Sequence, residues 1–341
     1  MRRSTRKWLT LAGCMVAAGL LILAIGSGMG GFPQVRDWVE NGELSWHFGY
    51  GTWGWGDSVK FNDRYPIYEG AVSRTKIEDA AQIERLNFDV GGGRVVIRTS
   101  EDGGYWFSSD NAKKYQCYAD NGVLELRVKG GSWVANHSDE HVITLWIPKE
   151  VSYREIDLEI GGGILEADML AGTDISIEIG AGSIEADTLT GDRISLELGA
   201  GEITVRSAEA DQFSVEIGAG EAAITSLSSR TLKVDVGAGQ ITLEESAVQD
   251  ADISVSMGQI RYQGMIAGDL DADCSMGQID LELTGYMEDH NYEVNCSMGE
   301  VSLGGESVSG VAGTRKIDFN AASDFDINCS MGGISVTFKE P

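Results

Sequence analysis

Proline is scarce in this sequence, at 4 of 341 residues; cysteine stands at 5, and 26 lysines and arginines face 53 aspartates and glutamates. The shortage of positive charge, a net −27, excludes a protein that coats nucleic acid or an anionic lipid face, because that attraction needs clustered Lys and Arg. Few prolines suit strands whose backbone N–H groups all bond to neighbours. An odd cysteine count fixes no disulfide framework. No Ser-His-Asp, Cys-His or paired-carboxylate signature is present, although Arg206, Arg230 and Arg261 stand among many acids. Catalysis gathers unlike residues in one pocket, and here like residues recur evenly along the chain.

Long apolar runs are also rare. Arg2, Arg3, Arg6 and Lys7 are the only charges before Arg36, and the stretch from Trp8 to Gly30 is long enough to cross about 30 Å of hydrocarbon as a helix. Basic residues before it and none just after predict an uncleaved anchor at 8–30, a cytoplasmic tail at 1–7 and an exported remainder carrying −31. Two alternatives are a cleaved signal peptide ending among Ala24, Gly26, Ser27 and Gly28, and lipidation at Cys14 in Leu11-Ala12-Gly13-Cys14. No second span or sortase signal is expected near the carboxyl end. Residues 31–79 read as a juxtamembrane linker, with two helical turns at Pro33–Glu40 and the aromatics Trp46, Phe48, Tyr50, Trp53 and Trp55, suited to a membrane interface, a glycan or simple packing.

What is abundant is glycine, at 45 residues, without the proline and serine that would mark disorder. Gly163, Gly182, Gly201, Gly220, Gly239, Gly258 and Gly277 fall 19 residues apart, and Gly299 and Gly332 follow at spacings of 22 and 33. The units read LEIGGGIL, IEIGAGSI, LELGAGEI, VEIGAGEA, VDVGAGQI, VSMGQI, CSMGQI, CSMGEV and CSMGGI, with an earlier cousin, FDVGGGRV, at Phe88. A period near 20 is the sign of a solenoid whose units bury their apolar faces by stacking. Ile175, Ile177 and Ile179 alternate with polar residues, so the coils are β, and the phase slips by one across the glycines as a corner or bulge requires. The prediction is an all-β, right-handed β-helix-like β-solenoid at 151–341, its coils about 4.8 Å apart. Leucine-rich, calcium-binding nonapeptide and hexapeptide repeats all lack their defining residues here.

Residues 80–150 read as an N-terminal β cap, with a hairpin at Asn121-Gly122 and a buried strand at Val142–Pro148. Thr284–Asn291 and Gly304–Ser323 read as inserted loops, the usual seat of binding in solenoids. The step Ile147-Pro148-Lys149, followed by repeated apolar-acidic-apolar-Gly-x-Gly units, resembles the bacterial "putative adhesin" family, domain of unknown function 4097, over residues 80–341. The single span and aromatic segment resemble its Gram-positive members. The resemblance implies a β-strand-repeat envelope protein, linked to adhesion or envelope stress, and supplies no catalytic residues.

Three sets of residues are candidates for chemistry. Glu159, Glu178, Glu197, Glu216 and Asp235 share one outward position, with Asp273 rejoining later. They form either a strip for Ca²⁺ or a basic partner, or, as we favour, a solvated face that keeps flat β surface from pairing. Cys274, Cys296 and Cys329 replace aliphatic residues while Met257, Met276, Met298 and Met331 replace Gly or Ala. Small inward residues with larger corner residues suggest compensated packing; a Cu(I) ladder or a disulfide is the alternative. His137 and His141 fall in a polar loop rather than a zinc site, and His47 and His290 are isolated. No cofactor is expected. The reading is a single-pass membrane protein with its bulk outside the cell, a binding module for cell-wall polymer, surface glycan or another envelope protein, without catalysis. The alternatives are an accessory in envelope-stress sensing and a polysaccharide-active enzyme.

Overall fold

The computed structural model describes residues 59–78, 80, 82–129, 141–307 and 313–340. The tail at 1–7, the anchor at 8–30, the Pro33–Glu40 helix with its aromatics, His47 and His137 all lie outside these residues. No helix among the described residues is long and apolar enough to cross a membrane.

Alternation of apolar and polar residues produces strands almost everywhere. In chain order they are β1 (Tyr68–Lys76), β2 (Arg85–Val90), β3 (Gly93–Ser100), β4 (Trp106–Asp120), β5 (Val123–Val128), β6 (Val142–Pro148), β7 (Tyr153–Val255), β8 (Gln259–Ile266), β9 (Leu270–Cys274) and β10 (Gln278–Thr284). A 3₁₀ turn at Met287–Asp289 precedes β11 (His290–Cys296), β12 (Glu300–Leu303), β13 (Glu306–Ser307), β14 (Gly313–Ile317), β15 (Ser323–Cys329) and β16 (Gly333–Lys339). β7 is one uninterrupted run of extended backbone that winds through several coils. Each coil has one arm before its glycine corner and one after it.

Side chains from both arms meet inside. In the coil at 174–189, Ile175, Ile177 and Ile179 from one arm and Ile184, Ala186 and Leu189 from the other are all buried. Fully burying one such aliphatic side chain stabilises by about 1.5–3 kcal/mol, so each coil gains only when its neighbours cover it. Volume is balanced within coils: Phe213 shares a coil with Ala222, and Tyr262 shares one with Ala251, all buried.

The glycine column is required by close approach. A Cβ on Gly182 would lie 1.8 Å from the carbonyl oxygen of Gly163, and one on Gly201 would lie 1.8 Å from that of Gly182. Gly163, Gly182, Gly201 and Gly220 also have φ between 136° and 156°, where side chains are strained.

Chain order and spatial order agree in the middle and part at both ends. At the amino end, β5 pairs in parallel with β2 and β6 with β3, and β2 and β3 pair in turn with β7, so the coil at 85–100 lies between β5 and β6 on one side and the first coil of β7 on the other. At the carboxyl end, β15 lies between β9 and β11, and β16 between β10 and β12. The last coil is therefore threaded between the two that precede it. The glycine column follows the same path, since a Cβ on Gly332 would strike Gly277 and one on Gly299 would strike Gly332.

Antiparallel strands close each end. β4 crosses the whole face, pairing with β6 through Trp106–Asp110 and with β5 through Tyr115–Asp120, and β1 pairs along β4 with register shifts near Gly70. At the other end β14 covers β11 and β13 covers β12. The Asn121-Gly122 hairpin is present, both residues at positive φ. Two expectations change. β1 brings part of the 31–79 segment into the folded body, held by Tyr68 against Phe107 and Tyr115. The Gly304–Ser323 insertion is not merely a loop; it supplies β13 and β14, which satisfy backbone groups that an open edge would leave unpaired.

Candidate functional site

Period-two alternation sends Glu159, Glu178, Glu197, Glu216 and Asp235 outward from the first arm of successive coils. Register extends the row to Asp89, opposite Glu159, and then to Arg127, opposite Asp89. At the other end it passes Ser254 and Asp273, then Asn328, Asn295 and Thr314. Asn295 Nδ2 donates to Asn328 Oδ1 at 3.0 Å, and Thr314 Oγ1 donates to Asn295 Oδ1 at 2.6 Å. Amides bond along such a stack where carboxylates repel, so only the carboxylate stretch is left with unbalanced charge.

Partial burial pushes the Glu159, Glu178 and Glu216 carboxyls above their usual range, and the charges of Asp157, Asp89, Glu197 and Asp235 push them further. Asp89 is raised by burial, against the pull of Arg127. Elsewhere, acids find cations one coil away: Arg193 with Asp174 at 2.5 Å, Arg206 with Asp187 at 2.9 Å and Arg230 with Asp211 at 2.8 Å. Among the described residues, no lysine or arginine bridges Glu159, Glu178, Glu197 or Glu216, and Asp235 pairs with Lys233. Two residues back runs a second row, Asp157, Ser176, Ser195, Ser214 and Lys233, along an open groove of about 620 Å³.

Charge is unequal along the chain. Residues 155–341 hold 35 carboxylates and 8 lysines and arginines, whereas residues 36–154 hold 18 and 14. At the amino end, Arg74 lies over the rings of Trp106 and Trp146 at 5.0 and 4.7 Å.

The cysteines and methionines separate. Cys274, Cys329 and Cys296 point inward, buried and free, in adjacent coils in that order. Burial raises the Cys274 thiol and pushes Cys329 up to about 11. The methionines point outward: Met276, Met331 and Met298 are 50, 54 and 77% exposed. Their expected part in compensated packing is thus corrected, because a side chain outside the coil fills none of its interior. A mixed thiolate–thioether ladder is not assembled, since the two sulfur rows face opposite sides of the backbone.

His290, isolated in the sequence, is buried. Its Nδ1 lies 2.6 Å from Ser323 Oγ and its ring stacks on Phe325 at 4.1 Å; burial lowers its pKa. His141 Nδ1 contacts the Asn111 carbonyl. Among the described residues no three His, Cys, Asp or Glu side chains come together as a metal cluster. The carboxylate row was legible as a strict 19-residue recurrence. The partnership of His290 with Ser323 was not, because it crosses the threaded coil.

Parallel coils, a glycine corner and one recurring outward set of side chains define a β-solenoid repeat protein. A family model described as Toastrack DUF4097 matches residues 83–337, and the chain belongs to that family. No curated protein matches it. Among solved structures it is similar to a "putative lipid binding protein" of Parabacteroides distasonis, at 13% identity and a TM-score of 0.45, over 82% of this chain and 97% of that one. It is also similar to a "putative adhesin" of Bacteroides fragilis, at 11% identity and a TM-score of 0.36, over 80% and 97%. At these values the likeness adds no functional argument to family membership.

Proposed function

We propose that this protein is a surface-exposed binding module of the cell envelope, anchored by residues 8–30 with its amino terminus in the cytoplasm, and that it recognises a cationic partner without catalysing a reaction. The observation that carries this reading is the row Glu159, Glu178, Glu197 and Glu216, which no described lysine or arginine bridges, whereas Asp174, Asp187 and Asp211 elsewhere in the coils are paired with arginines one coil away. Carboxylates on neighbouring coils about 4.8 Å apart repel by about 1 kcal/mol in water, and an external cation relieves what the fold leaves in place. The even repetition of this face suits a polymer or an extended partner better than a small substrate.

The test is retention of cell-wall polymers and surface proteins by the immobilised full chain. A cationic partner is expected, held at 0.1 M salt and released toward 1 M, as the screening length falls from about 10 to 3 Å. The Glu178→Gln/Glu197→Gln/Glu216→Gln variant should lose it. Retention indifferent to both salt and substitution would overturn the reading. So would release of reducing ends from a glycan, which would make the protein an enzyme. A melting temperature unmoved by millimolar calcium would leave the cationic partner and remove the calcium strip.

A further inference from the structure

Met257, Met276, Met331 and Met298 occupy the middle corner position of four coils that are neighbours in space. Backbone bonds fix their order: Met276 N–H donates to Ser256 O, Met331 N–H to Ser275 O and Met298 N–H to Ser330 O, each at 2.8 Å. Met276 and Met331 are 55 positions apart in the chain, so the row exists only because the last coil is threaded. Successive thioethers stem from backbone about 4.8 Å apart. The flanking corner residues are serines and glycines, which offer no bulk to cover them.

An exposed row of methionines is not explained by folding. A Met side chain contributes about 1.5–3 kcal/mol when buried, and Met276, Met331 and Met298 give up half of that or more. A thioether is neutral, soft and a weak hydrogen-bond acceptor, so it recognises neither an anion nor a hard cation. Soft sulfur ligands select Cu(I). Sulfur–metal bonds of about 2.3 Å place two sulfurs on one trigonal ion about 4 Å apart, close to the row's own spacing. The unbranched side chain, with three rotatable bonds, closes the remaining difference. The thiols of Cys274, Cys329 and Cys296 do not compete, being buried on the inner side of the same backbone.

We propose that Met257, Met276, Met331 and Met298 form a surface site for Cu(I), each ion held by two or three adjacent thioethers. The full chain is titrated anaerobically with Cu(I) against a chromogenic chelator, and separately with Ag(I) while the methionine methyl signals are followed by NMR. One or two equivalents should leave the chelator, and the methyls of Met276, Met331 and Met298 should shift. Met276→Leu/Met331→Leu should weaken binding at least tenfold with the strand circular dichroism unchanged. Cys274→Val/Cys329→Val/Cys296→Val, which carries the residue of Val236 and Val255 into the same inner row, should bind as before. Unchanged affinity in the leucine variant, loss confined to the valine variant, or unmoved methyls at saturating Ag(I) would each overturn the proposal. The methyl shifts need no substitution, so a variant that fails to fold leaves the question decided.

Discussion

The middle coils and the carboxyl-terminal coils are made from one repeat and solve different problems. From Asp174 to Gly239 every coil lies on the one before it, the corners are Gly-x-Gly, and the outward row is carboxylate. From Leu270 onward the corners are Ser-Met-Gly, the outward row turns to Asn328 and Asn295, and the coil at 323–339 lies between the coils at 270–284 and 290–303. A middle coil is covered on both sides by copies of itself. An end has no next copy, so it is closed by antiparallel β13 and β14 and by a coil placed out of turn. Ends must stop the repeat from recruiting more strands, and the amino end does the same with β1 and β4.

The sharpest test of this contrast is all or none. Asp280 stands opposite Ser335, and Ser335 opposite Ser302. Under mild oxidation Asp280→Cys/Ser335→Cys should cross-link and Asp280→Cys/Ser302→Cys should not, because a whole coil lies between them; adjacent parallel strands fall within disulfide reach. The reverse result, read on a non-reducing gel, would mean that the coils stack in chain order.

The next effect is large and belongs to the middle. Gly201→Ala sets a Cβ 1.8 Å from a backbone oxygen at φ +136° and should cost about 4 kcal/mol or more in denaturant melts. Gly103→Ala, at a turn with nothing within 4 Å, should cost about 1–2 kcal/mol. Equal losses would show that the corner is not held by close approach.

The smallest effect separates the regions by sign. The carboxyls of Glu159, Glu178 and Glu216 are raised in the folded state. Their stabilisation is full below the unfolded carboxylate range and is lost as pH rises through the raised values. His290 is lowered, so the unfolded chain binds its proton first, and stability around it falls as pH drops below about 6.5. Hydrogen exchange followed downward from pH 7 should first show looser protection at 290–296 and 323–329, then tighter protection at 155–217 as the pH approaches the ordinary carboxylate range. Glu197→Gln should tighten the middle at neutral pH by about 0.5 kcal/mol. Loosening of both regions together on acidification would contradict the opposed signs.

Much of this was legible in the sequence because a parallel coil repeats its neighbour at a fixed distance. The 19-residue period gave the corners, the alternating core and the carboxylate row, and Asn121-Gly122 gave its hairpin. The spacings of 22 and 33 showed that something was inserted, yet spacing counts along the chain and cannot tell that Cys329 lies between Cys274 and Cys296. The methionines mislead in the sequence for a related reason. Replacement of Ala by Met at a corner reads as added volume until the corner's middle residue is seen to point outward. β1 is not marked in the sequence, because the register shifts around Gly70 break its alternation.

The threaded coil has a consequence for how the chain is made. Synthesis runs from the amino end, and a stack built in chain order could add each coil as it emerges. Here residues 290–303 have no permanent seat until residues 323–339 have arrived to lie beneath them. A chain cut short after Leu303 would therefore be missing a coil from inside its stack rather than from its tip. Arrival of residues 323–339 is the event that seats the coil at 290–303, and until then the edge of β10 stands open to any passing strand.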